Sequence, residues 1–220
     1  MSIYCITPDW LTAIGTVGAV LVALFYKPLL SWWNRPKIKI QYKDTPPFRD
    51  EIEDSSSSST PTKRMVIRVC VTNSGKYTVE HAVLNIDEYY AKRKDGKYVQ
   101  KLFTPRQFKD CNNAKFNVVA PQLKYYLDIA LIQKFQDIIS DGESGQRKQN
   151  YKLYLLGEGK TEQLGTGTFV VPLKFYSSRT DSKVVYLSLF WESDDYVFTK
   201  DCFEVKIISS NEFEELPKVE

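Results

Sequence analysis

The stretch from Trp10 to Tyr26, WLTAIGTVGAVLVALFY, runs for seventeen residues without a charged side chain. As a helix it is about 25 Å long, slightly short of the roughly 30 Å hydrocarbon core of a bilayer. Lys27 interrupts it, and Pro28-Leu-Leu-Ser-Trp-Trp33 resumes the apolar character. A lysine this near the end runs its stem along the helix and lifts its ammonium to the interface. Trp10 on one side, and Trp32 with Trp33 on the other, are placed as interfacial anchors. The segment predicts one membrane-spanning helix over residues 10–33, with Pro28 removing one backbone hydrogen bond near its end.

Three other readings fit less well. A cleavable signal peptide wants a basic start and a small-x-small cleavage site, whereas residues 1–9 hold no Lys or Arg and Tyr26-Lys27-Pro28 is a poor cleavage context. A helix buried in a soluble core is apolar along a stripe, and this one is apolar on every side. A helix lying in the interface needs a charged face that this one lacks.

Charge sets the expected orientation. Residues 1–43 hold five cations (Lys27, Arg35, Lys37, Lys39 and Lys43) against Asp9, and all five follow the apolar run. Basic flanks stay on the cytoplasmic side, so the short amino terminus is expected outside and the rest in the cytoplasm, at the cell inner membrane. The remaining 177 residues carry 25 basic and 26 acidic side chains, a balance that offers nucleic acid no general attraction. The lipid membrane is therefore the first expected partner, to which each juxtamembrane cation adds about 1 kcal/mol on an anionic leaflet. Within the span Gly15, Ala19 and Ala23 recur every four residues, a spacing that lets two helices approach closely and form a homo-oligomer seam.

Beyond the span the chain divides by composition. Residues 34–43 form a basic juxtamembrane segment with a first alternating strand, Pro36–Lys43. Residues 44–64, DTPPFRDEIEDSSSSSTPTKR, read as a flexible Ser/Pro-rich loop unable to bury a core. Residues 65–210 alternate with a period of two between turn signals, and residues 211–220 form an acidic, solvated tail. Expected strands are Met65–Thr72, Val79–Tyr90, Tyr98–Phe103, Lys115–Val119, Lys124–Ile129, Tyr151–Leu156, Thr168–Tyr176, Val184–Trp191 and Tyr196–Ile208. Asn73-Ser-Gly-Lys76 reads as a turn with glycine at positive φ. Ala130–Ser140 reads as one short helix. Many short strands with frequent turns imply an all-β antiparallel sandwich or barrel, its core filled by fourteen Tyr and twelve Phe.

The run Val66-Ile-Arg-Val-Cys-Val-Thr-Asn-Ser-Gly-Lys76, followed by Val79-Glu-His-Ala-Val-Leu-Asn-Ile86, resembles the strand, Asn-x-Gly turn, strand signature of immunoglobulin-like β-sandwich modules. With Trp10–Ala19 and Asn34-Arg-Pro-Lys-Ile38, residues 10–90 resemble uncharacterised bacterial single-span membrane proteins carrying such a module. The resemblance implies a layout, an Ig-like sandwich behind one transmembrane helix, and no activity. The disulfide-and-Trp signature of antibody domains is missing, with Cys70 and Cys202 far apart and Trp191 late in the chain.

Chemistry is sparse. Cys5, Cys70, Cys111 and Cys202 form no CxxC pair, and the single histidine, His81, lacks neighbours at metal-ligand spacing, so no metal or cofactor is expected. Tyr154-Leu-Leu-Gly-Glu-Gly-Lys-Thr161 has Tyr154 where a phosphate loop needs its first glycine, and reads as a hairpin turn. Gly142-Glu-Ser-Gly145 lacks the spacing of a nucleophile elbow. Asp194-Asp195 and Glu212–Glu215 read as a turn and a solvated tail rather than paired catalytic acids. Tyr89-Tyr-Ala-Lys-Arg-Lys-Asp-Gly-Lys-Tyr98 interleaves aromatics and cations, as a base-stacking surface or a soluble hairpin tip would.

The expectation is a non-enzymatic, membrane-tethered binding or sensor module with a protein or small ligand as partner and no catalytic residue. One alternative is a membrane effector, laid out like antiphage proteins that join a span to a β-domain, in which associating helices perturb the bilayer. Another is an envelope-side enzyme, which needs the opposite orientation and a carboxylate pair.

Overall fold

A computed structural model describes residues 8–33, 35–54, 62–107, 117–138, 147–156, 161–178, 182–192 and 202–219. Helix α1 spans Pro8–Trp33 with Pro28 inside it. Its stretch Trp10–Leu30 is long and apolar enough to cross a membrane, and none of it is buried against the rest of the chain. Among the described residues nothing buries its leucines and valines, unlike those of a helix packed in a core.

The rest of the described chain is almost entirely antiparallel sheet. The strands are β1 (Ile38–Gln41), β2 (Arg49–Asp54), β3 (Thr62–Asn73), β4 (Val79–Glu80), β5 (Val83–Lys92), β6 (Tyr98–Gln107) and β7 (Val118–Val119). They continue with β8 (Lys124–Ile138), β9 (Arg147–Leu155), β10 (Glu162–Leu164), β11 (Gly167–Tyr176), β12 (Lys183–Trp191) and β13 (Phe203–Ile208), followed by helix α2 (Ser210–Glu214). One sheet runs β1-β3-β8-β9-β10, with β2 also on β3; a second runs β13-β12-β11-β5-β6; β4 and β7 form a small third. The two large sheets share one hydrophobic core, in which Ile67, Leu127 and Leu153 of the first meet Leu84, Leu173 and Leu187 of the second. The period-two pattern in the sequence is largely this core: alternate residues such as Met65, Ile67, Val69 and Val71 of β3 turn to the shared face.

Strand β3 is the hub. Its early half pairs with β2 and its late half with β1 along one edge, while β8 takes the other edge. Between β1 and β2 the chain steps outward, and the Arg68 amide fills the gap by donating to the Phe48 carbonyl at 2.7 Å. Arg68 is only 8% exposed. Its Nε donates to Asp128 at 2.6 Å, and one terminal nitrogen donates to Asp50 at 3.1 Å and to the Pro47 carbonyl at 3.3 Å. Burial disfavours the guanidinium charge, but the hydrogen bond and charge of Asp128, helped by Asp50, hold its pKa above the ordinary value.

Three features of this fold correct the sequence reading. Residues 44–64 are not loop throughout: β2 and the first residues of β3 form a ladder from Arg49–Ile67 to Asp54–Thr62. Arg49-Asp-Glu-Ile-Glu-Asp54 has a single apolar residue, so an edge strand held by its backbone left no period-two signal. Ala130–Ser140 is not a helix, since β8 continues to Ile138. The cause is a bulge: Ile67 faces Ala130 but Arg68 faces Asp128, so Ile129 and Ala130 are both buried and the alternation changes phase. The tail is not solvated throughout, because α2 packs Phe213 onto the second sheet. Helix α1 therefore leads into a β unit that includes β1, β2 and the carboxy-terminal segment.

Pro172 lies in β11, between β5 and β12, a place where proline would leave a gap. The β5 ladder is irregular between Val170 and Lys174, so the missing N–H falls where the pairing is already interrupted. Tyr89 of β5 crosses the core in the other direction. Its ring meets Phe103 and Phe169 edge-on or tilted, and its hydroxyl donates to Glu162 of β10 at 2.8 Å. Burial, the accepting Glu162 carboxylate and its charge all push the phenol pKa up, and burial likewise raises Tyr42 beside Asp44. A phenol whose folded pKa exceeds its unfolded value contributes fully to stability below the ordinary tyrosine pKa and loses that contribution progressively as pH rises from there through the raised folded value. Stability is expected to fall from about pH 9 upward, across the ordinary tyrosine range and beyond it. Urea midpoints across that range should fall less steeply in a Tyr42→Phe/Tyr89→Phe double variant; equal slopes would refute the assignment.

Candidate functional site

The site has two parts, an anchor with its attachment and a groove. Trp10 and Trp33 are 68% and 69% exposed at the two ends of α1, and Lys27 is also exposed on it. Trp32 lies in the same last turn, its side chain outside the described residues. Gly15, Ala19 and Ala23 are exposed along α1, and a Cβ added at Gly15 would meet nothing within 4 Å, so that row is open to another helix. Arg35 and Lys37 are exposed in the connection to β1.

That connection is gripped at Asn73, which is completely buried. Its Oδ1 accepts from the Lys37 amide at 3.2 Å and the Gly75 amide at 2.9 Å. Its Nδ2 donates to the Tyr77 carbonyl at 2.7 Å and the Val119 carbonyl at 3.2 Å. The Ser74 amide and hydroxyl both donate to the Lys37 carbonyl. From the second sheet the Lys183 ammonium donates to the Ile38 carbonyl at 3.0 Å. Gly75 has a different role from the one its turn motif predicts. It is not at positive φ; a Cβ there would lie 2.5 Å from the Arg35 carbonyl oxygen and 2.6 Å from Pro36 Cα. The glycine is present because the backbone leaving the helix passes directly over it.

The groove lies on the outer face of the second sheet, beside α2. Its volume is about 350 Å³, within the range of small-molecule sites. Val170, Phe190 and Ile208 supply apolar floor; Lys92, Tyr98, Thr168, Ser188, Glu204 and Lys206 supply polar groups. Burial raises the Tyr98 phenol, so that hydroxyl is neutral and a donor across the physiological range. Helix α2 forms one wall. Ser209 caps it, accepting from the Glu212 amide, while Glu212 accepts from the Ser209 amide at 2.6 Å. Those bonds hold the Glu212 carboxyl below the usual range. Phe213 stacks on Tyr186 at 4.0 Å and meets Tyr90 edge-on at 4.9 Å, with the Lys218 ammonium 4.0 Å from its ring centre. The Tyr98 amide donates to the Pro217 carbonyl and the Val219 amide to the Tyr98 carbonyl, which closes the chain end onto the hairpin.

No known protein family, curated protein or solved structure matches this chain. Its residues are therefore the whole basis for reading its function.

The other residues singled out in the sequence are dispersed. Tyr89, Tyr90 and Tyr98 belong to the β5–β6 hairpin and are packed into the core or under α2, so their faces do not form a stacking platform. His81 is exposed at φ 52° between β4 and β5. Cys70 is buried and Cys202 partly so, with no disulfide among the described residues, and burial raises the Cys70 pKa. Tyr154 lies in β9, while Gly157–Lys160, Gly142–Gly145, Asp194-Asp195, Cys5 and Cys111 lie outside the described residues. Among the described residues no three His, Cys, Asp or Glu side chains are grouped to hold a metal.

Sequence reasoning missed the groove and the Asn73 grip. The groove's signal is faint: Thr168, Ser188, Glu204 and Lys206 are the polar partners of buried neighbours, as on any solvated sheet face. Asn73 was visible only as a turn residue, and its partners Lys37 and Val119 are remote in sequence.

Proposed function

We propose that the chain is a membrane-tethered binding module. The helix spans the inner membrane of a bacterial cell, the amino terminus lies outside, and the β unit, an Ig-like sandwich of two sheets, stands in the cytoplasm. The observation that carries this reading is α1 itself: a twenty-one-residue stretch, charged only at Lys27, whose apolar window holds no residue buried against the described chain. In water such a surface costs on the order of 25 cal/mol for each Å². A bilayer removes that cost on every face of the helix, and a protein partner would do so on one face.

The groove is the ligand site in this reading. Its two amines, Lys92 and Lys206, are balanced by Glu204 and Glu212, and its hydroxyls sit over an apolar floor. That set suits a small, polar and nearly neutral ligand held by dispersed hydrogen bonds. The role is binding rather than catalysis, since the groups stand on separate strands without a nucleophile–base pair.

Two measurements test it. A reporter fused in the 93–97 hairpin tip should be active only as a cytoplasmic reporter; activity on the outer side overturns the orientation. Thermal-shift screening of small polar metabolites on the detergent-solubilised chain should give hits that vanish with Ser188→Trp, which fills the groove floor. Hits unaffected by that substitution would move the ligand elsewhere.

A further inference from the structure

The β unit has two ends, and the fold gathers one kind of chemistry at the end where the helix enters. Pairing places the start of β1 at the end of β3 (Ile38 opposite Asn73) and the start of β8 beside it (Lys124 opposite Thr72). Pro121 bridges to Asn73, and Lys183, at the start of β12, reaches the Ile38 carbonyl. The turns at this end are thus neighbours of the helix exit.

Those turns expose large apolar side chains on held backbone. Leu123 is 54% exposed, Tyr77 45% and Val118 40%. The Leu123 turn is fastened by the Gln122 amide, which donates to the Asn73 carbonyl at 3.0 Å with Gln122 at φ 64°. The Tyr77 carbonyl is fastened by Asn73. Leucine and tyrosine on such turns are set outward by the backbone.

The same turns are cationic. Arg35, Lys37, Lys76 and Lys124 are exposed, and none makes an ion pair among the described residues. In the described turns at this end Glu80 is the one carboxylate.

We propose that this end of the β unit docks on the anionic surface of the bilayer that the helix crosses, with Leu123, Tyr77 and Val118 entering the interfacial layer and the four cations on the headgroups. The proposal rests on the spanning reading of α1, and adds a second membrane contact far along the chain. Tyrosine favours that layer, and unpaired surface cations are drawn to anionic lipid. The attached helix commits the surface to lipid, because it holds these turns beside the membrane at high effective concentration.

The test uses the full chain in vesicles, with Cys5, Cys111 and Cys202 changed to serine and single labelling cysteines carrying an environment-sensitive dye. Dyes at Leu123→Cys and Tyr77→Cys should be quenched by nitroxide-labelled phosphatidylglycerol several-fold more than one at Leu102→Cys, an exposed residue of β6. A dye at Val22→Cys reports the span independently. Quenching at 22 with equal signals at 77, 102 and 123 overturns the docking and keeps the span; no quenching at 22 overturns both. Lys76→Glu with Lys124→Glu should weaken the contact at 123 about fivefold per cation in anionic vesicles. An unchanged contact would show that charge plays no part and overturn the proposal as stated.

Discussion

On the spanning reading of α1, Val20→Lys with Leu21→Lys is expected to release the chain from membranes. Both residues are at the middle of the Trp10–Leu30 stretch. A lysine at a helix centre costs about 2.5–3.5 kcal/mol on insertion scales, so the pair removes about 6 kcal/mol from the apolar segment's transfer. The wild-type chain is expected in the carbonate-resistant pellet, and the double lysine variant in the supernatant. A Val20→Leu/Leu21→Val control should stay with the pellet. The same substitutions should leave the β unit intact, because Val20 and Leu21 are about half exposed and touch no part of it. Circular dichroism of the released variant should keep the wild-type sheet signal. A variant that unfolds instead of dissolving would mean that α1 is packed on protein, against the spanning reading.

Asn73→Leu should be the most damaging single change in the β unit. It strands the Lys37 and Gly75 amides and the Tyr77 and Val119 carbonyls around a fully buried position. Each buried polar group left without a partner costs about 1–3 kcal/mol. A loss of at least about 3 kcal/mol is expected, a large fraction of a typical domain's 5–15 kcal/mol. Gly75→Ala should do comparable harm by another route, since its methyl would meet backbone of Arg35–Lys37 closer than 3 Å. Overpacking of this kind costs about 1–3 kcal/mol even where side chains can yield, and here backbone must. Ser74→Ala, at an exposed hydroxyl with a parallel amide bond to the same carbonyl, should cost under about 1 kcal/mol. Denaturant midpoints of the detergent-solubilised chain would read all three, and an Asn73→Leu midpoint at the wild-type value would refute the grip.

The residues that were legible in sequence were those whose environment is periodic. Met65–Thr72, Thr168–Tyr176 and Val184–Trp191 each face one shared core, so alternation alone located β3, β11 and β12 within a few residues. The apolar run at Trp10 was legible for the opposite reason, having no polar face at all. What failed was local. One bulge at Ile129 shifted the phase of β8 and made Ala130-Leu-Ile-Gln-Lys-Phe look helical. Strand β2 is held by backbone pairing on an edge, where side chains carry no pattern. Phe213 was hidden among acidic neighbours, although a single aromatic with a Ser209–Glu212 capping box is enough to fold α2 onto the sheet. The Asn73 grip and the groove depend on residues far apart in the chain, and strand order was not derivable from spacing.

The Asn73 grip also fixes where mechanical load enters the protein. Any tension or twist passing down α1 arrives at Lys37, before the first pair of β1. There it is shared at once with β3, which pairs with β1, β2 and β8, and through Lys183 with β12 of the other sheet. The segment that leaves the helix is thus fastened to both sheets from Lys37 onward.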